Sequence, residues 1–290
     1  MFLGTSDFAA AVLERLAASS HRPVLAVTRP DRPRGRGRRL SPPPVAETAR
    51  ALGIDVYQPE SVNDDAVRER IAAANPDVIA VCAFGALIKE PLLSDYETLN
   101  VHPSLLPRWR GAAPIERAIM AGDGETGISI MSMTAGLDSG PVGLRAREPI
   151  EPTDTYGSLS ARLQRLGGEL LVRTLDERPP FQEQDDAGAT YAAKIEPADR
   201  LLDPARPAIE LGRVVRALTP HVGAYVELPE GGRLGVREAA VVPSGPPART
   251  LALDGPWPVL GCAEGALELV VVQPPGRRAM AGEDYLRGRR

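Results

Sequence analysis

An amide and an imidazole stand two residues apart at Asn100 and His102. The apolar residues around them predict a strand over 99–102, and side chains two apart on a strand leave the same face. An amide N–H donor and a ring nitrogen that can give or take a proton therefore lie together. Such a pair can hold a reacting oxygen and move a proton, and Pro103 and Pro107 stiffen the loop that follows.

Two further segments carry groups that could complete a site. Asp138 lies between glycines in residues 136–140, and glycines let the backbone come close to a ligand. Residues 29–39 hold six arginines against one acid. The first 40 residues have eight arginines against three acids, a net +5, in a chain whose net charge is −4. A basic segment on an acidic protein indicates a local anionic partner.

Each of these features alone has an ordinary structural explanation. A histidine in an apolar strand is more often a core residue, and an aspartate between glycines is more often a turn residue. An arginine-rich loop is often only a solvated, charged loop. Their combination on one parallel sheet is what indicates an active site, because such folds bind ligands at the carboxyl ends of their strands.

The first half of the chain alternates strand and helix patterns, which predicts an α/β domain with a mostly parallel sheet covered on both faces. The predicted strands are residues 24–28, 55–57, 77–83, 99–102 and 126–133. The predicted helices are residues 45–52, 64–74 with Asn63 as N-cap, 114–121 and 155–175. Few residues precede Gly4, so a first strand there is expected to be very short.

The pattern changes near residue 178. Residues 178–188 are polar, acidic and contain prolines, which is typical of a linker. A helix over 208–218 and alternating strands over 224–228, 233–242 and 266–272 then predict a small β-barrel. We therefore divide the chain into a catalytic domain over residues 1–180, a linker over 181–199 and a second domain over 200–290.

Composition excludes several classes of protein. Hydrophobic residues make up 43% of the 290 residues and charged residues 25%, as in ordinary globular chains. The sequence has no run of 18 apolar residues and no secretory signal at its start, and two cysteines cannot form a disulfide framework. Three scattered histidines give no metal-ligand spacing. We expect a cytoplasmic protein that needs neither a membrane nor a metal.

Long stretches of the sequence resemble one known family. The run NVHPSLLPRWRGAAP over 100–114 and the run TGISIMSMTAGLDSGPV over 126–142 closely resemble the methionyl-tRNA formyltransferases. The opening GTSDFA, the loop PDRPRGRGRRLSPPPV, the segment TYAAKI and the run VVQPPGRRAM extend the likeness over nearly the whole chain. One departure lies at 219–223, where Thr-Pro-His-Val-Gly replaces an Asn-Pro-Trp-Pro-like turn.

The resemblance implies a Rossmann-like formyltransferase domain followed by an OB-like domain that binds tRNA. It implies that the catalytic residues are Asn100, His102 and Asp138. It also implies that two segments hold the folate, namely Phe84, Gly85, Ala86, Leu87 and Ile88 beside the pterin, and Ser104, Leu105, Leu106 and Pro107. In the family the arginine-rich loop contacts the tRNA acceptor end, and the residues chosen for this contact are Arg34, Arg36, Arg38 and Arg39.

The implied reaction moves a formyl group from 10-formyltetrahydrofolate to the α-amino group of methionyl initiator tRNA, in a monomer. Transfer to an amine passes through a tetrahedral oxyanion, and each donor fixed where that charge develops is commonly worth about 3–4 kcal/mol. Asn100 and His102 would be those donors, and Asp138 would orient the imidazole. His102, or a water held by Asp138, would move the proton from the attacking amine towards the leaving nitrogen.

Three other functions are weighed against this one. A formyltransferase for a small amine, such as a ribonucleotide or an amino sugar, would use the same catalytic residues. An RNA-binding protein that has lost its activity is disfavoured because Asn100, His102 and Asp138 are all present. A dinucleotide-dependent oxidoreductase is disfavoured because the opening Gly-Thr-Ser-Asp-Phe-Ala lacks the G-x-G-x-x-G fingerprint.

Overall fold

The computed structural model describes residues 1–34 and 39–289, so Arg36 and Arg38 of the arginine-rich loop lie outside the described residues. The chain divides into two compact units. Unit 1 comprises Met1–Gly111, Thr126–Glu148 and Ser160–Tyr191. Unit 2 comprises Ala112–Glu125, Pro149–Leu159 and Ala192–Arg290.

The first part of the chain alternates strands and helices, as predicted. The strands are β1 Phe2–Gly4, β2 Leu25–Val27, β3 Arg32–Arg34, β4 Arg39–Ser41, β5 Asp55–Tyr57, β6 Ile79–Cys82, β7 Thr98–His102, β8 Arg110–Gly111, β9 Glu125–Ser132 and β10 Val142–Pro149. The helices are α1 Asp7–Ala17, α2 Pro44–Ala51, α3 Asp65–Ala74, α4 Leu92–Asp95, α5 Pro114–Ala121 and α6 Tyr156–Glu177. Helices α1 and α4 and strands β3, β4, β8 and β10 are additional to the predicted elements.

The rest of the chain is mainly strands. The strands are β11 Tyr191–Ala192, β12 Ala224–Glu227, β13 Arg233–Val242, β14 Leu251–Ala252, β15 Val259–Gly261, β16 Ala266–Gln273 and β17 Met280–Ala281. The helices are α7 Ala208–Ala217 and α8 Gly282–Arg287, and short 3-10 turns lie over Asp186–Gly188 and Pro197–Arg200. Among the described residues, no helix is both long enough and apolar enough to cross a membrane.

The large sheet of unit 1 confirms the predicted, mostly parallel α/β architecture. Its strand order within the described residues is β10-β9-β7-β6-β1-β2-β5. Strands β5, β2, β1, β6 and β7 run parallel, and β9 runs antiparallel to β7. Strand β1 is short yet central, and its residues Phe2 and Leu3 are fully buried. Parallel strands place all their carboxyl ends at one edge of the sheet. Asn100 and His102 lie at that end of β7, and the two predicted folate segments follow β6 and β7.

The predicted N-cap of helix α3 is wrong. Asp64, not Asn63, occupies the cap position. The Asn63 amide instead donates to the carbonyl of Leu87 at 2.8 Å and accepts from the backbone N–H of Lys89 at 2.9 Å. An amide carries both a donor and an acceptor, so it can satisfy a carbonyl and an N–H of one loop at once. Asn63 therefore anchors the loop that follows β6.

Unit 2 is built on a curled antiparallel sheet, which confirms the smaller β-rich domain expected after the α/β domain. Its strand order among the described residues is β12-β13-β16-β15-β14, and β17 pairs with β16. The apolar face of α7 covers this sheet, through the buried side chains Leu211, Val214 and Val215, and the C-cap residue Leu218 belongs to the same core. Their spacing of three and four residues is the pattern that predicted the helix.

Arg117 of helix α5 connects two segments within unit 2. Its guanidinium forms a forked ion pair with Asp199, at 2.9 and 2.8 Å, and also donates to the carbonyls of Ala193 and Lys194. The side-chain hydrogen bond from Arg117 is the main cause that lowers the pKa of the Asp199 carboxyl. The pair therefore fixes the chain after residue 192 against α5.

The two cysteines of the sequence are buried and unpaired. Cys82 ends strand β6 in the sheet of unit 1, and Cys262 follows β15 in the core of unit 2. Burial raises the pKa of both thiols, because a thiolate is disfavoured where water cannot solvate it. Both residues therefore behave as small core side chains.

Candidate active site

Strand β7 presents Asn100 and His102 at the carboxyl end of the parallel sheet. Asn100 lies opposite Met131 of β9, and His102 lies opposite Ser129. Their spacing on a regular strand puts both side chains on one face, as the sequence predicts. His102 is buried, with 5% of its side chain exposed, and Asn100 is half-buried. Among the described residues, the Asn100 side chain has no hydrogen-bond partner, which leaves its amide donors available.

The two ring nitrogens of His102 have different partners. Nε2 lies 2.9 Å from the carbonyl oxygen of Trp109, and Nδ1 lies 3.6 Å from Oδ2 of Asp138. A carbonyl oxygen can only accept, so Nε2 carries a proton and donates it. Nδ1 is therefore the nitrogen that faces the carboxylate and can exchange a proton there. The distance of 3.6 Å fits an ion pair and is longer than a hydrogen bond.

Asp138 is held in an uncommon backbone conformation beside His102. Its φ is +46°, a left-handed conformation that aspartate adopts more readily than most residues. Its Oδ2 accepts the backbone N–H of Gly111 at 2.8 Å, and 15% of its side chain is exposed. A Cβ at Gly140 would overlap the carbonyl oxygen of Ser132, so the turn that carries Asp138 requires glycine there.

Two further side chains, Gln184 and Arg110, support the Asp138 turn, and neither was predicted from the sequence. The Gln184 amide nitrogen donates to the carbonyls of Asp138, at 2.8 Å, and Gly140, at 2.7 Å. Its oxygen accepts two N–H groups of buried Arg110, from Nε at 3.1 Å and Nη2 at 2.9 Å. Arg110 also pairs with Asp186 at 2.8 Å. Gln184 and Asp186 lie within the segment 181–199, for which the sequence predicts a linker.

Three consecutive residues, Trp109 to Gly111, organise the site. The carbonyl of Trp109 bonds Nε2 of His102, the side chain of Arg110 bonds Gln184, and the N–H of Gly111 bonds the carboxylate of Asp138. Thr190 holds this segment with two hydrogen bonds. Its carbonyl accepts the backbone N–H of Arg110, and its hydroxyl oxygen accepts the backbone N–H of Trp109. Trp109 has a φ of +63°, which turns its carbonyl out of the regular strand direction.

The predicted pterin segment is a tight loop at the carboxyl end of β6. Phe84 and Ile88 are buried in the core of unit 1, Gly85 and Leu87 are exposed, and Ala86 is half-buried. The hydroxyl of Thr5 donates to the carbonyl of Phe84 at 2.7 Å, and Asn63 bonds the other end of the loop. The loop is therefore anchored at both ends, and its exposed middle carries one large apolar side chain.

The predicted folate segment after His102 is mostly buried. The Ser104 hydroxyl donates to the carbonyl of Arg108 at 2.6 Å, and the Ser129 hydroxyl donates to the carbonyl of Ser104 at 2.7 Å. Ser104 and Leu106 are buried, and Leu105 and Pro107 are half-buried. The side chains of Ser104 and Leu106 therefore shape the loop from inside, and the other two are the more accessible ones.

The described part of the arginine-rich loop is a short antiparallel pair. Strand β3 pairs with β4, with Arg34 opposite Arg39. Arg39 and the neighbouring Leu40 are exposed. Within the described residues, no group of three or more histidine, cysteine, aspartate or glutamate side chains could hold a metal ion.

The mostly parallel sheet carries a buried imidazole that faces a carboxylate at the carboxyl ends of its strands. This arrangement is typical of enzymes with an open α/β sheet. Matches to known families make the class specific. Residues 1–175 match the formyl transferase family, and residues 194–290 match the formyl transferase C-terminal domain. The chain belongs to the formyl transferase family.

Curated relatives align over nearly the whole chain. The methionyl-tRNA formyltransferase of Halorhodospira halophila is 44% identical over 301 residues, which cover 100% of this chain and 96% of that protein. The methionyl-tRNA formyltransferase of Aromatoleum aromaticum is 43% identical over 293 residues, which cover 99% of this chain and 93% of that protein.

Solved structures share the fold at low identity. An N-formyltransferase from Helicobacter canadensis, solved with folinic acid and dTDP-3-aminofucose, has a TM-score of 0.67 at 14% identity, covering 92% of this chain and 97% of that one. A methionyl-tRNA formyltransferase from Clostridium thermocellum has a TM-score of 0.58 at 15% identity, covering 82% of this chain and 91% of that one.

Proposed function

We propose that this protein transfers the formyl group of 10-formyltetrahydrofolate to the α-amino group of methionyl initiator tRNA. The product is N-formylmethionyl-tRNA for translation initiation. The observation that carries the proposal is the arrangement at the end of β7. His102 is buried there, on the same strand as Asn100, and its Nδ1 faces the carboxylate of Asp138. The relatives named methionyl-tRNA formyltransferase, similar over nearly their full length, support the choice of acceptor.

The reaction follows from these three side chains. The neutral amine attacks the formyl carbon, and a free α-amino group with a pKa of about 7.7–8.0 has a usable neutral fraction near pH 7. The Asn100 amide donates to the oxygen that becomes negative. The Nδ1 atom of His102, or a water held by Asp138, takes the proton of the attacking amine. The proton passes to N10 of the folate as the carbon–N10 bond breaks, which releases tetrahydrofolate.

For the co-substrate, we propose that the loop over Phe84–Ile88 lies beside the pterin and that the loop over Ser104–Pro107 lies along the folate. The anchored ends of the first loop support a fixed contact surface. In the second loop, Leu105 and Pro107 are the side chains with surface to offer, and Ser104 and Leu106 act by holding the loop in shape.

For the tRNA, we propose contacts from two basic regions. One is the arginine-rich loop, with Arg34, Arg36, Arg38 and Arg39. The other is a cavity of unit 2 that is lined by Arg200, Arg233 and Arg237, and we call it the arginine cavity. Guanidinium groups suit phosphate because they donate in pairs. This assignment makes residues 200–290 a tRNA-binding domain, joined through 181–199 to a catalytic domain over 1–180.

We further propose that the enzyme acts in the cytoplasm as a monomer.

The proposed reaction is tested by incubating purified protein with 10-formyltetrahydrofolate and, in separate reactions, methionyl initiator tRNA, elongator methionyl-tRNA and small amines. We expect fast formylation of the initiator tRNA alone. Formylation of small amines alone would instead assign the protein to the small-amine formyltransferases, and no turnover with any acceptor would favour an RNA-binding protein without activity.

A further inference from the structure

The side-chain amide of Gln184 uses its whole hydrogen-bonding capacity inside unit 1. Its nitrogen donates two hydrogen bonds, to the carbonyls of Asp138 and Gly140, and its oxygen accepts two, from Arg110. Carbonyls only accept and a guanidinium only donates, so the orientation of the amide is determined by its partners. A half-buried amide that makes four hydrogen bonds to three residues is held in one position.

The carbonyls that Gln184 binds belong to the turn that carries the carboxylate. The turn has no regular secondary structure, and Asp138 has a positive φ. A non-glycine residue in this conformation persists only where its surroundings hold it. Two of the restraints on it are the N–H of Gly111, which binds the carboxylate, and the amide of Gln184, which binds the backbone.

We propose that Gln184 is a positioning residue for formyl transfer, with Arg110 as its fixed support. By binding the carbonyls on either side of Ser139, it sets the backbone of the turn and thereby the separation between the Asp138 carboxylate and Nδ1 of His102. The inference rests on the proposed function for the roles of His102 and Asp138. It adds a residue from the 181–199 segment to the machinery of the site.

The first test compares Gln184→Met with a matched change on the same segment. Methionine keeps the length of the side chain and removes all four hydrogen bonds. We expect kcat to fall about tenfold to hundredfold, with the KM values of both substrates changed less than threefold, because misplacement of a catalytic group affects the reacting geometry. Gln182→Met is the control, since the Gln182 side chain is exposed and its pairing with Val142 uses backbone atoms. An equal kcat in both variants would overturn the proposal.

The second test asks whether Gln184 acts through Asp138. In an Asp138→Asn background, we expect Gln184→Met to lower kcat less than twofold, because the carboxylate that it positions is already gone. The same factor in both backgrounds would show that Gln184 acts elsewhere, and would overturn the proposal. If Gln184→Met does not fold, Gln184→Glu replaces it, because glutamate keeps both acceptor contacts to Arg110 and loses both donors when ionised.

The third test does not need activity. The ring resonances of His102, assigned by their loss in His102→Ala, are compared by NMR between the unchanged protein and the two methionine variants. We expect them to move in Gln184→Met and to stay in place in Gln182→Met. Identical His102 signals in all three proteins would overturn the proposal. A protein without formyl transfer activity would contradict the proposed function, while this measurement would still decide the role of Gln184.

Discussion

The site of unit 1 and the arginine cavity of unit 2 are both polar, yet they are built differently. In unit 1, His102 and Asp138 are each fixed by protein partners, and little of either side chain is exposed. In the cavity, Arg200 and Arg237 bond to backbone carbonyls and Arg233 lies over the ring of Tyr225. Within the described residues, no carboxylate pairs with these three arginines.

The two regions therefore differ in what they offer a substrate: the site of unit 1 offers a fixed geometry, and the arginine cavity of unit 2 offers positive charge. A site whose histidine and carboxylate are both held by protein partners serves one arrangement of reacting atoms, and a substitution there should lower kcat. Guanidinium groups that no carboxylate neutralises offer positive charge to an anion, and damage to them should appear in KM and in the salt dependence. Substitutions in the two regions should therefore affect different measured quantities.

The largest effect is expected at the centre of unit 1. His102→Ala should lower kcat by about a hundredfold to ten-thousandfold, because it removes the group that moves the proton. Binding of tRNA, measured by filter retention, should change less than twofold. His21→Ala is the matched control, because His21 is a partly exposed histidine of unit 1 that pairs with Asp176. A loss confined to tRNA binding would contradict the separation.

The next effect is expected at the arginine-rich loop. Replacing Arg34, Arg36, Arg38 and Arg39 together by alanine should make the log–log salt slope of tRNA binding shallower by about 3, at roughly 0.7–0.9 for each phosphate that the loop no longer neutralises. The kcat value at saturating tRNA should stay within about twofold. An unchanged KM for tRNA at physiological salt would show that this loop does not contact the acceptor.

A smaller effect of the same kind is expected in the arginine cavity. Arg233→Gln should reduce the salt slope by about 0.7–0.9 and raise the KM for tRNA severalfold, because one phosphate is then left without its guanidinium partner. Arg206→Gln changes the charge of unit 2 equally, but Arg206 already pairs with Glu210, so it should have little effect. Equal effects of both variants would reduce the role of the cavity to net charge.

The smallest effect on activity is expected at Arg117, where stability should change instead. Arg117→Ala removes a forked ion pair with partly buried Asp199 and should lower the free energy of unfolding by about 1–2 kcal/mol at pH 7.

The stabilisation by this ion pair should depend on pH. Since folding lowers the pKa of Asp199, the pair contributes its full stability above the pKa that the carboxyl has in the unfolded chain. It is lost as the pH falls through the folded value. Denaturant titrations at pH 7 and at about pH 3 should therefore show a smaller difference between variant and unchanged protein at the lower pH. Arg173→Ala, on an exposed helical pair with Glu177, should change the free energy of unfolding less than Arg117→Ala does, because water screens that pair.

Much of the architecture could be predicted because its signals are local. The predicted helices are all present, with ends that differ by at most two residues, and helix α5 has the predicted bounds. Periodic apolar spacing is a property of one segment, so it can be read without knowing the fold. Helix α1 was missed although it has the same signals, a capping Ser6 and apolar residues at helical spacing. The pairing of Asn100 with His102 is likewise local, since it follows from strand periodicity.

The support around the catalytic residues could not be predicted, for a physical reason. Trp109 and Gly111 act through a carbonyl and an N–H, which nearly every residue has, so their residue types carry no signal. Gln184 binds backbone carbonyls that lie more than forty residues away in sequence. Gln184 lies in a polar segment that follows two prolines. Such a composition indicates exposure to solvent and does not indicate which residues a side chain binds.

The buried thiols have a practical consequence. The thiolate is the form of cysteine that attacks maleimides. Both native cysteines are buried and have a raised pKa, so neither should react with maleimide in the folded protein. In Leu40→Cys, the new thiol at a position that is 71% exposed beside the arginine-rich loop would then be the reactive one, and neither native cysteine need be replaced. The fluorescence of a dye attached there would report tRNA binding in real time. The rate at which Cys82 and Cys262 are slowly labelled would report how often the core around each of them opens.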